Sequence, residues 1–401
     1  MIAGAGYVGL ATALSIAQGA PGLKIVVADA APEGVWQKDG RASAIAAAAR
    51  RMLAELGCWE AIAPHAQPIN EMIITDSRTS DPVRPVFLTF GNRQEDDEPF
   101  ANMVPNVEML RALRAQCKKA GVRIIQGAAV SAYEESSQGA SLVITYGDNK
   151  KIQAKLLIAC DGVRSRLRDM AGIKTVHWDY GQSGIVATIA HERSHEGRAE
   201  EHFLPGGPFA ILPLTKNRSS IVWTEPTENA ERLLGADDFT FDVELEQRFG
   251  LKLGDIKLET KPRAYPLGLT LARDYIKPRF ALAGDAAHGI HPIAGQGLNL
   301  GFKDAAALAQ TIVEAHRLGL DIGSIDVLER YQIWRRFDTV QMGITTDILN
   351  RLFSNDIGPV RTLRSLGLSI VDRLPGLKNF FIGQASGTTG DMPRLLRGEP
   401  I

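Results

Sequence analysis

The opening of the chain places the strongest constraint on its fold. Gly4, Gly6 and Gly9 form a GxGxxG turn, a helix-patterned segment follows, and the apolar run 25–28 then ends in Asp29. The first glycine permits a tight turn, the second lets backbone N–H groups approach a pyrophosphate, and the third lets helix and strand pack closely. The start of such a helix binds phosphate, and the acid after the second strand can accept hydrogen bonds from ribose hydroxyls. A GxGxxG turn alone is a weak signal, but this arrangement predicts a Rossmann unit that binds the adenosine part of a dinucleotide.

Two later segments also consist of an apolar strand that ends in a polar turn. Residues 156–159 precede the turn Asp161-Gly162, and Ser165 is placed to cap the short helix that carries Arg168. Residues 280–283 lead to Gly284 and Asp285. A glycine-rich bend then opens a helix that we expect to reach about residue 316, and such a helix start can hold negative charge.

Composition limits the class of protein and its partners. Of the 401 residues, 45% are hydrophobic and 23% are charged, which is typical of globular proteins and excludes a disordered chain. The formal net charge of −1 gives no general attraction for nucleic acid. Cys58, Cys117 and Cys160 are far apart, so we predict neither a disulfide framework nor a metal site and expect a cytoplasmic location. No apolar run reaches the roughly 18 residues of a membrane-spanning helix.

The pattern between the second and third segments differs from that of the opening. Apolar and polar residues alternate in 183–189, 209–214 and 219–224, and this period of two predicts an antiparallel sheet. Residues 331–383 are expected to be mostly helical, and Ala44 to Ala49 are also expected to form a helix. The predicted fold class is therefore α/β, with a Rossmann-type domain, an inserted antiparallel β-sheet domain and a C-terminal helical region.

Taken in order, the motifs GxGxxG, DGxxSxxR and GDAAH…P…GQGxN resemble those of the class A flavoprotein monooxygenases, the p-hydroxybenzoate hydroxylase family, over nearly the whole chain. Within that family, the segments 41–45, 284–304 and 385–393 look most like the ubiquinone-biosynthesis hydroxylases. The resemblance implies one non-covalently bound FAD, NAD(P)H as reducing co-substrate, and hydroxylation of a phenolic ring through a flavin C4a-hydroperoxide. The lack of a second GxGxxG agrees with the family, which has no separate nicotinamide domain.

The resemblance also assigns residues to the FAD. Asp29 would bind the adenosine ribose, Arg41 and Asn106 would contact the cofactor, and Val130 would offer its backbone to the adenine. The full set of expected cofactor-binding residues is Gly4, Gly6, Gly9, Asp29, Arg41, Asn106, Val130, Asp161, Gly284, Asp285, Leu298 and Asn299.

At the flavin end, Asp285 matches the acid near the ribityl chain and pyrophosphate, and Leu298 and Asn299 match helix-start residues beside the flavin pyrimidine. Asp161 would lie near the pyrophosphate and the path of NAD(P)H. N–H groups at the start of the 297–315 helix would stabilise the negative charge of reduced flavin, which is an oxyanion-hole type of effect.

The expected catalytic surface is a loop against the flavin face, with Pro292 at the edge where the substrate binds and no protein acid or base assigned. This loop comprises Pro292, Gly295, Gln296 and Gly297. His288 is expected to be structural, and His291 is the alternative candidate for a proton relay. The expected wall residues on the substrate side are Phe203, Ile211, Pro213, Trp223 and Tyr265.

The resemblance and the patterns together suggest a division of the chain. The FAD-binding domain would comprise 1–75, 100–175 and 267–330, the substrate domain an excursion at 76–99 and the sheet at 176–266, and the C-terminal helical region 331–401. The basic and apolar pattern of that last region leaves open a contact with the inner membrane or with proteins of a quinone pathway, and a homo-oligomer also stays open.

Four functions remain as alternatives at this point. The first is a hydroxylase of a ubiquinone precursor, and the second is a hydroxylase of a small soluble aromatic compound. An apolar tunnel would favour the first, and a polar or Arg-rich pocket the second. A flavin oxidoreductase that inserts no oxygen and a flavin-bound assembly protein without turnover are the other two.

Overall fold

The computed structural model describes residues 1–76, 84, 86–91, 98–290, 296–353 and 391–401. Its strands are β1 (Ile2–Ala3), β2 (Val26–Ala28), β3 (Ala42–Ala46), β4 (Gln67–Ile69), β5 (Glu71–Asp76), β6 (Val86–Gly91), β7 (Ala101–Pro105), β8 (Arg123–Ile125), β9 (Val130–Glu135), β10 (Leu142–Tyr146), β11 (Lys150–Ala154), β12 (Leu157–Ala159), β13 (Thr175–His191), β14 (Arg198–Leu204), β15 (Gly207–Leu214), β16 (Arg218–Pro226), β17 (Ile256–Leu258), β18 (Arg263–Ala272), β19 (Ile276–Lys277), β20 (Phe280–Leu282) and β21 (His288–Gly289). Its α-helices are α1 (Tyr7–Gly19), α2 (Ala47–Glu55), α3 (Trp59–Ile62), α4 (Asn106–Lys119), α5 (Arg166–Met170), α6 (Thr227–Leu234), α7 (Asp238–Phe249), α8 (Gln296–Arg317) and α9 (Ile325–Phe353).

The three predicted strand-and-turn segments lie side by side in one sheet. Within the described residues this sheet has the order β19-β20-β12-β1-β2-β8. β1 pairs in parallel with β2 and with β12, and β12 pairs in parallel with β20. The carboxyl ends of parallel strands lie at one edge, so the glycine turn, the Asp161-Gly162 turn and the Asp285 loop all leave the sheet on the same side. This arrangement confirms the predicted α/β class.

Helix α1 is buried along most of its length because it is covered by more than one layer. Residues 9–17 are all buried, which explains why the segment is apolar on nearly every side. A glycine on each helix, Gly19 in α1 and Gly301 in α8, lets the two helices approach closely. A Cβ added at Gly301 would lie 2.5 Å from Val8 Cγ2, and one added at Gly19 would lie 2.7 Å from Val313 Cγ2.

The alternating segments form the predicted antiparallel sheet. β13, β15 and β16 contain the three predicted runs, and β13 pairs antiparallel with β16, which pairs antiparallel with β15. The described sheet has nine strands, and β14 pairs in parallel with β5, which comes just before the predicted excursion at 76–99. Helices α6 and α7 cover one face of this sheet and form with it a second hydrophobic core.

One helix prediction was wrong. Ala44 to Ala46 belong to β3, and α2 begins only at Ala47. Alanine has a high helix propensity, but tertiary pairing prevails here because Ala46 pairs with Ala101 of β7. Helix α9 agrees with the expected helical C-terminal region as far as Phe353, whereas the rest of that region up to residue 390 lies outside the described residues. Among the described helices, none combines the length and the apolar character needed to cross a bilayer.

Candidate functional site

A continuous cavity of about 1110 Å³ joins the glycine turn to the Asp285 loop. The starts of α1 and α8 and strand β3 line one side, and strands of the nine-stranded sheet line the other. The cavity therefore has the elongated form expected for a dinucleotide with a substrate beyond one end. The residues on its first side include Gly6, Tyr7, Val8, Gly9, Arg41, Ser43, Asn106, Asp285, Gly297, Leu298 and Asn299.

The three glycines of the first turn have different neighbours. Gly4 has a φ of +105°, and a Cβ there would lie 2.2 Å from the carbonyl oxygen of Cys160. A Cβ on Gly9 would lie 2.0 Å from the carbonyl oxygen of Gly4, but a Cβ on Gly6 would meet no atom within 4 Å. Packing therefore requires Gly4 and Gly9, while Gly6 keeps space open in the cavity.

The start of α1 presents N–H groups beside this open space. Gly6 is the N-cap residue, and no side chain in the described chain caps the helix. The first turn also contains no acidic residue. Uncapped N–H groups and the positive end of the helix dipole together suit an anion such as a pyrophosphate.

Asp29 lies directly after β2, next to the glycine turn. Its carboxylate accepts hydrogen bonds from the backbone N–H of Ala5 and from that of Ala31, the latter at 2.7 Å. The backbone N–H of Ala128 donates to the carbonyl oxygen of Asp29 at 2.7 Å, and this contact brings the start of β9 at Val130 alongside. Neither Asp29 nor Val130 lines the cavity. Both remain candidates for the adenosine end, since a carboxylate has further acceptor positions.

Asp39 organises the residues between the glycine turn and β3. Arg41 donates to both of its oxygens at 2.8 Å, the Tyr7 hydroxyl donates at 2.8 Å, and the Asn106 amide lies 3.3 Å away. Partial burial opposes ionisation, yet the hydrogen bonds and charge of Arg41 lower the pKa of Asp39 to about 2. The Arg41 guanidinium also lies 5.5 Å from the ring centre of Tyr265, across the cavity.

The side chain of Asn106 is already held from two sides. Its Oδ1 accepts a hydrogen bond from Ser43 at 2.7 Å, and its own amide group approaches Asp39. Its backbone N–H donates to the carbonyl oxygen of Arg41 at 2.9 Å. Asn106 therefore lines the cavity and also fixes the backbone of residues 41–43.

Asp285 projects into the other end of the cavity. It follows β20 in a short 3-10 turn, and Gly284 in that turn has a φ of +62°. A Cβ on Gly284 would lie 2.9 Å from Val8 Cγ2, so a larger residue would push the loop away from α1. Asp285 is exposed to the cavity, and the surrounding protein partly desolvates its carboxyl group and so raises its pKa, an effect that the charge of Asp304 reinforces and that His288 opposes.

A buried network of hydrogen bonds around Asp304 supports the Asp285 loop. One oxygen of Asp304 accepts from the backbone N–H of Gly284 at 2.9 Å and lies 2.5 Å from His288 Nε2. The other oxygen accepts from Arg335 Nε at 2.8 Å. His288, Asp304 and Arg335 are all buried, so the arrangement agrees with a structural role for His288.

At the start of α8, Asn299 is a positioning residue for β3. Its Oδ1 accepts from the backbone N–H of Ala46 and its Nδ2 donates to the carbonyl oxygen of Ala44, both at 2.9 Å. Leu298 and Gly297 line the cavity beside it. The predicted positions of Pro292, Gly295 and His291 lie outside the described residues, and for Gln296 only the backbone is described.

The Asp161-Gly162 turn lies at the edge of the same cavity. Gly162 lines it, whereas the exposed Asp161 does not, and the Asp161 carboxylate accepts from the backbone N–H of Leu167 at 3.3 Å. Ser165 caps α5 as predicted, since its Oγ accepts from the backbone N–H of Arg168 at 3.0 Å. Arg168 then donates to the carbonyl oxygens of Val163 and Ala286 and so ties this turn to the Asp285 loop.

The sheet supplies a largely apolar wall for the far half of the cavity. Cross-strand neighbours such as Ala210 and Val222 face the cavity together. The wall residues from these strands are Met72, Thr175, His177, Asp179, Ala199, Glu201, Pro208, Ala210, Leu212, Val222, Thr224, Pro266, Leu267, Gly268, Thr270 and Gly289. Glu201 is the one charged side chain that the described part of β14, β15 and β16 contributes to this surface.

The structure corrects the predicted wall residues. Ile211 and Trp223 belong to the second core, on the face covered by α6 and α7, and Pro213 follows Ile211 on that same face. Tyr265 contacts Arg41 but does not line the cavity. Phe203 pairs with the cavity residue Pro208, and so it shares the correct face, but it lies beyond the lining residues.

Three functional candidates were not predicted. For two of them the sequence contained a feature from which they could have been found. Asp39 stands two residues before Arg41, a spacing that allows a side-chain ion pair. Glu201 follows Glu200 in a strand, where consecutive residues face opposite sides, so one of two adjacent acids must point inward. The contact between Asp304 and Arg335 joins α8 to α9 and had no local signal. Among the described residues, no cluster of His, Cys, Asp or Glu is arranged to hold a metal ion.

These residues fit the FAD that the motifs led us to expect. The open space at Gly6 and the uncapped start of α1 suit the pyrophosphate, and Asp29 lies on the adenosine side. Arg41 and Asp285 line the path toward the sheet, and the start of α8 adds a second positive helix end.

Comparison with known proteins agrees with this geometry. A family model described as FAD binding domain matches residues 1–336. A ubiquinone hydroxylase of Rhodospirillum rubrum, UbiL, is 41% identical over 408 residues, covering 100% of this chain and 93% of the relative. The 3-demethoxyubiquinol 3-hydroxylase of Escherichia coli is 33% identical over 394 residues, covering 96% and 97%.

Solved structures share the fold at lower identity. The p-nitrophenol 4-monooxygenase PnpA of Pseudomonas putida superposes with a TM-score of 0.78 at 19% identity, covering 98% of both chains. A Klebsiella pneumoniae HpxO variant complexed with FAD gives a TM-score of 0.75 at 18% identity, covering 100% of this chain and 98% of the other. With the sequence matches, these findings show that the chain belongs to the class A FAD-dependent monooxygenases, among which its relatives include the ubiquinone-biosynthesis hydroxylases.

Proposed function

We propose that this protein hydroxylates the phenolic ring of a polyprenylated ubiquinone precursor, using NAD(P)H and O2. The observation that carries the proposal is the apolar part of the cavity wall on β14, β15 and β16, where most of the lining side chains are aliphatic and Glu201 is the one charged residue, although the neighbouring β13 adds His177 and Asp179 to the cavity. Such a surface suits a ring with an alkyl chain better than a small aromatic acid. The identity to a ubiquinone hydroxylase over the whole chain supports the same substrate class.

The positions of the residues around the cavity give them separate roles. Gly6, Asp29, Arg41 and Asp285 would hold the cofactor, which when bound supplies the electron transfer from NAD(P)H to O2 and the oxygen transfer to the ring. The N–H groups at the start of α8 are oriented to stabilise negative charge that develops beside them. The sheet then excludes water from the reacting ring, which strengthens these electrostatic interactions.

The test is a reconstituted reaction with two substrate classes. The purified holoenzyme should incorporate one atom of ¹⁸O₂ into a short-chain 2-polyprenylphenol in detergent, as measured by mass spectrometry. It should convert 4-hydroxybenzoate much more slowly, because the described strands of the sheet contribute no Arg or Lys to the cavity lining and the cavity arginines, Arg41, Arg164 and Arg168, lie outside the sheet. Oxidation of NAD(P)H that yields only hydrogen peroxide with every phenol would overturn the proposal, and a preference for 4-hydroxybenzoate would favour the soluble-substrate alternative.

A genetic experiment identifies the substrate independently. A strain that lacks this protein should accumulate a quinone precursor missing one ring hydroxyl group, and extraction of its lipids would show which carbon is involved. A normal ubiquinone content in that strain, with no other hydroxylase able to replace the protein, would contradict the proposed role.

A further inference from the structure

Glu201 occupies an unusual position in the wall of the cavity. It lies in the middle of β14, where Ala210 of β15 and Ile74 of β5 are its cross-strand partners. Its side chain lines the cavity, although the residue is only 4% exposed. A carboxyl group therefore faces the substrate space from an apolar part of the sheet.

Two other described acids of this sheet, Glu225 and Glu200, have partners, and Glu201 has none among the described residues. Glu225 accepts hydrogen bonds from Trp223 Nε1 at 2.8 Å and from Arg248. Glu200, on the opposite face of β14, pairs with Lys252. Among the described residues the Glu201 carboxyl makes no hydrogen bond or ion pair, and burial is the cause that raises its pKa to about 7.

An unpartnered buried acid costs stability, so its presence at a cavity wall indicates a use for it. The charged side chains that line the same cavity are Arg41, Arg164, Arg168, Asp169, Asp179 and Asp285, with the titratable His177 beside them. From β5 and β15, the strands next to Glu201, the described cavity residues are Met72, Pro208, Ala210 and Leu212, none of which titrates. Its protonation is thus governed by its apolar surroundings and by what enters the cavity.

We propose that Glu201 is the base that accepts the proton of the substrate's phenolic hydroxyl group. In this step the O–H bond of the phenol breaks, its electron pair stays on the substrate oxygen, and the proton forms a new O–H bond on the Glu201 carboxylate. The ring becomes more electron-rich and so more reactive toward an electrophilic oxygen. Glu201 returns its proton to solvent or product at the end of the cycle, and the overall reaction still consumes NAD(P)H, O2 and one proton.

The proposal rests on the proposed function and adds a residue to it. A base is most effective when its pKa lies near the working pH, which is the case for a carboxyl that titrates near neutrality. The carboxylate must be ionised to accept a proton, so product formation should fall as the pH drops through about 7.

Glu201→Gln tests this assignment, with Glu200→Gln as the matched control one residue along the strand and on the opposite face. Glu201→Gln should hold FAD and be reduced by NAD(P)H normally, yet form product about 10²–10⁴-fold more slowly and release more peroxide. The fall in kcat/KM below pH 7 should disappear in this variant and persist in Glu200→Gln. Glu201→Asp should keep the fall at a reduced rate, because it retains a carboxylate.

A second measurement needs neither turnover nor a variant. In infrared spectra of the oxidised wild-type holoenzyme, the band of a protonated carboxyl should disappear with a midpoint near pH 7. Addition of 4-nitrophenol should shift that midpoint, and 4-nitroanisole, which has no hydroxyl proton to donate, should not. An unchanged pH profile in Glu201→Gln, or equal effects of the two ligands, would overturn the role of Glu201. A wild-type enzyme that hydroxylates no phenol would instead overturn the proposed function.

Discussion

Substitution of the second and third glycines of the opening turn by alanine should separate cofactor binding from folding. A Cβ on Gly6 would meet nothing within 4 Å, and its backbone angles of φ −76° and ψ −174° are allowed for alanine. A Cβ on Gly9 would lie 2.0 Å from the carbonyl oxygen of Gly4. The added methyl group therefore projects into the cavity in Gly6→Ala, whereas in Gly9→Ala it collides with a backbone oxygen.

The magnitudes follow from these surroundings. For Gly6→Ala, loss of a favourable N-cap residue costs roughly 0.5 kcal/mol, and the reduced freedom of the unfolded chain offsets it by about 0.4–1 kcal/mol. The stability of the apoprotein should therefore stay within about 1 kcal/mol of the wild type. The methyl group occupies the space beside the helix start, so FAD should bind at least about tenfold more weakly, or about 1.4 kcal/mol.

For Gly9→Ala the balance is different. Overpacking against a backbone oxygen costs about 1–3 kcal/mol, and the higher helix propensity of alanine returns about 1 kcal/mol at most. The backbone of the turn must also move to relieve the contact, so we expect a less stable apoprotein and weaker FAD binding together.

Two measurements check this pair of variants. Denaturant unfolding of the apoproteins gives the free energy of unfolding, and titration with FAD, followed by its fluorescence, gives the dissociation constant. Gly6→Ala should differ from the wild type only in its dissociation constant for FAD. The reasoning would be refuted by a Gly6→Ala protein that binds FAD as tightly as the wild type, or by a Gly9→Ala apoprotein of unchanged stability.

Three further outcomes are expected. Asp304→Asn should lower the free energy of unfolding by about 3–5 kcal/mol, because Arg335 loses its buried charged partner and keeps only the more exposed Asp338 among the described residues; a loss below about 1 kcal/mol in denaturant unfolding would contradict this. Burial lowers the pKa of His202 to about 3, whereas the unfolded chain binds that proton near pH 6.5, so stability should fall as the pH drops between these values. His202→Gln should flatten this dependence in thermal unfolding scans, and an unchanged slope would rule the residue out. Ala210→Leu should raise the KM for the aromatic substrate with little effect on Tm, while Ile211→Ala should cost about 2–5 kcal/mol of stability and leave KM unchanged.

Local motifs allowed the cofactor end of the site to be predicted. The glycine turn, the Ser165 cap and the Asp285 loop depend on residues close together in the chain, and each signal is a matter of backbone geometry or capping. No local sequence motif predicted the contacts between segments that are distant in the chain. The network of Asp304 and Arg335, for example, requires knowing that α9 packs beside α8.

The substrate end was predicted as a sheet, but the wall residues predicted on β15 and β16 lie on the face opposite the cavity. Alternation separates two faces of a strand without saying what covers each face. Here both faces of β15 and β16 are largely apolar, one buried under α6 and α7 and the other half-buried toward the cavity. Hydrophobicity therefore could not distinguish them, and the larger apolar residues were assigned to the substrate.

Side-chain size would have been the better guide to the cavity face. The core face of these strands carries Phe209, Ile211 and Trp223, which fill the space under the helices. Their neighbours on the other face, such as Ala210 and Val222, are smaller, and small side chains are what leave a cavity open. A strand that alternates large with small apolar residues thus indicates a packed core on one side and a binding space on the other. On that reasoning an acid among the small residues, as Glu201 is, faces whatever the protein binds.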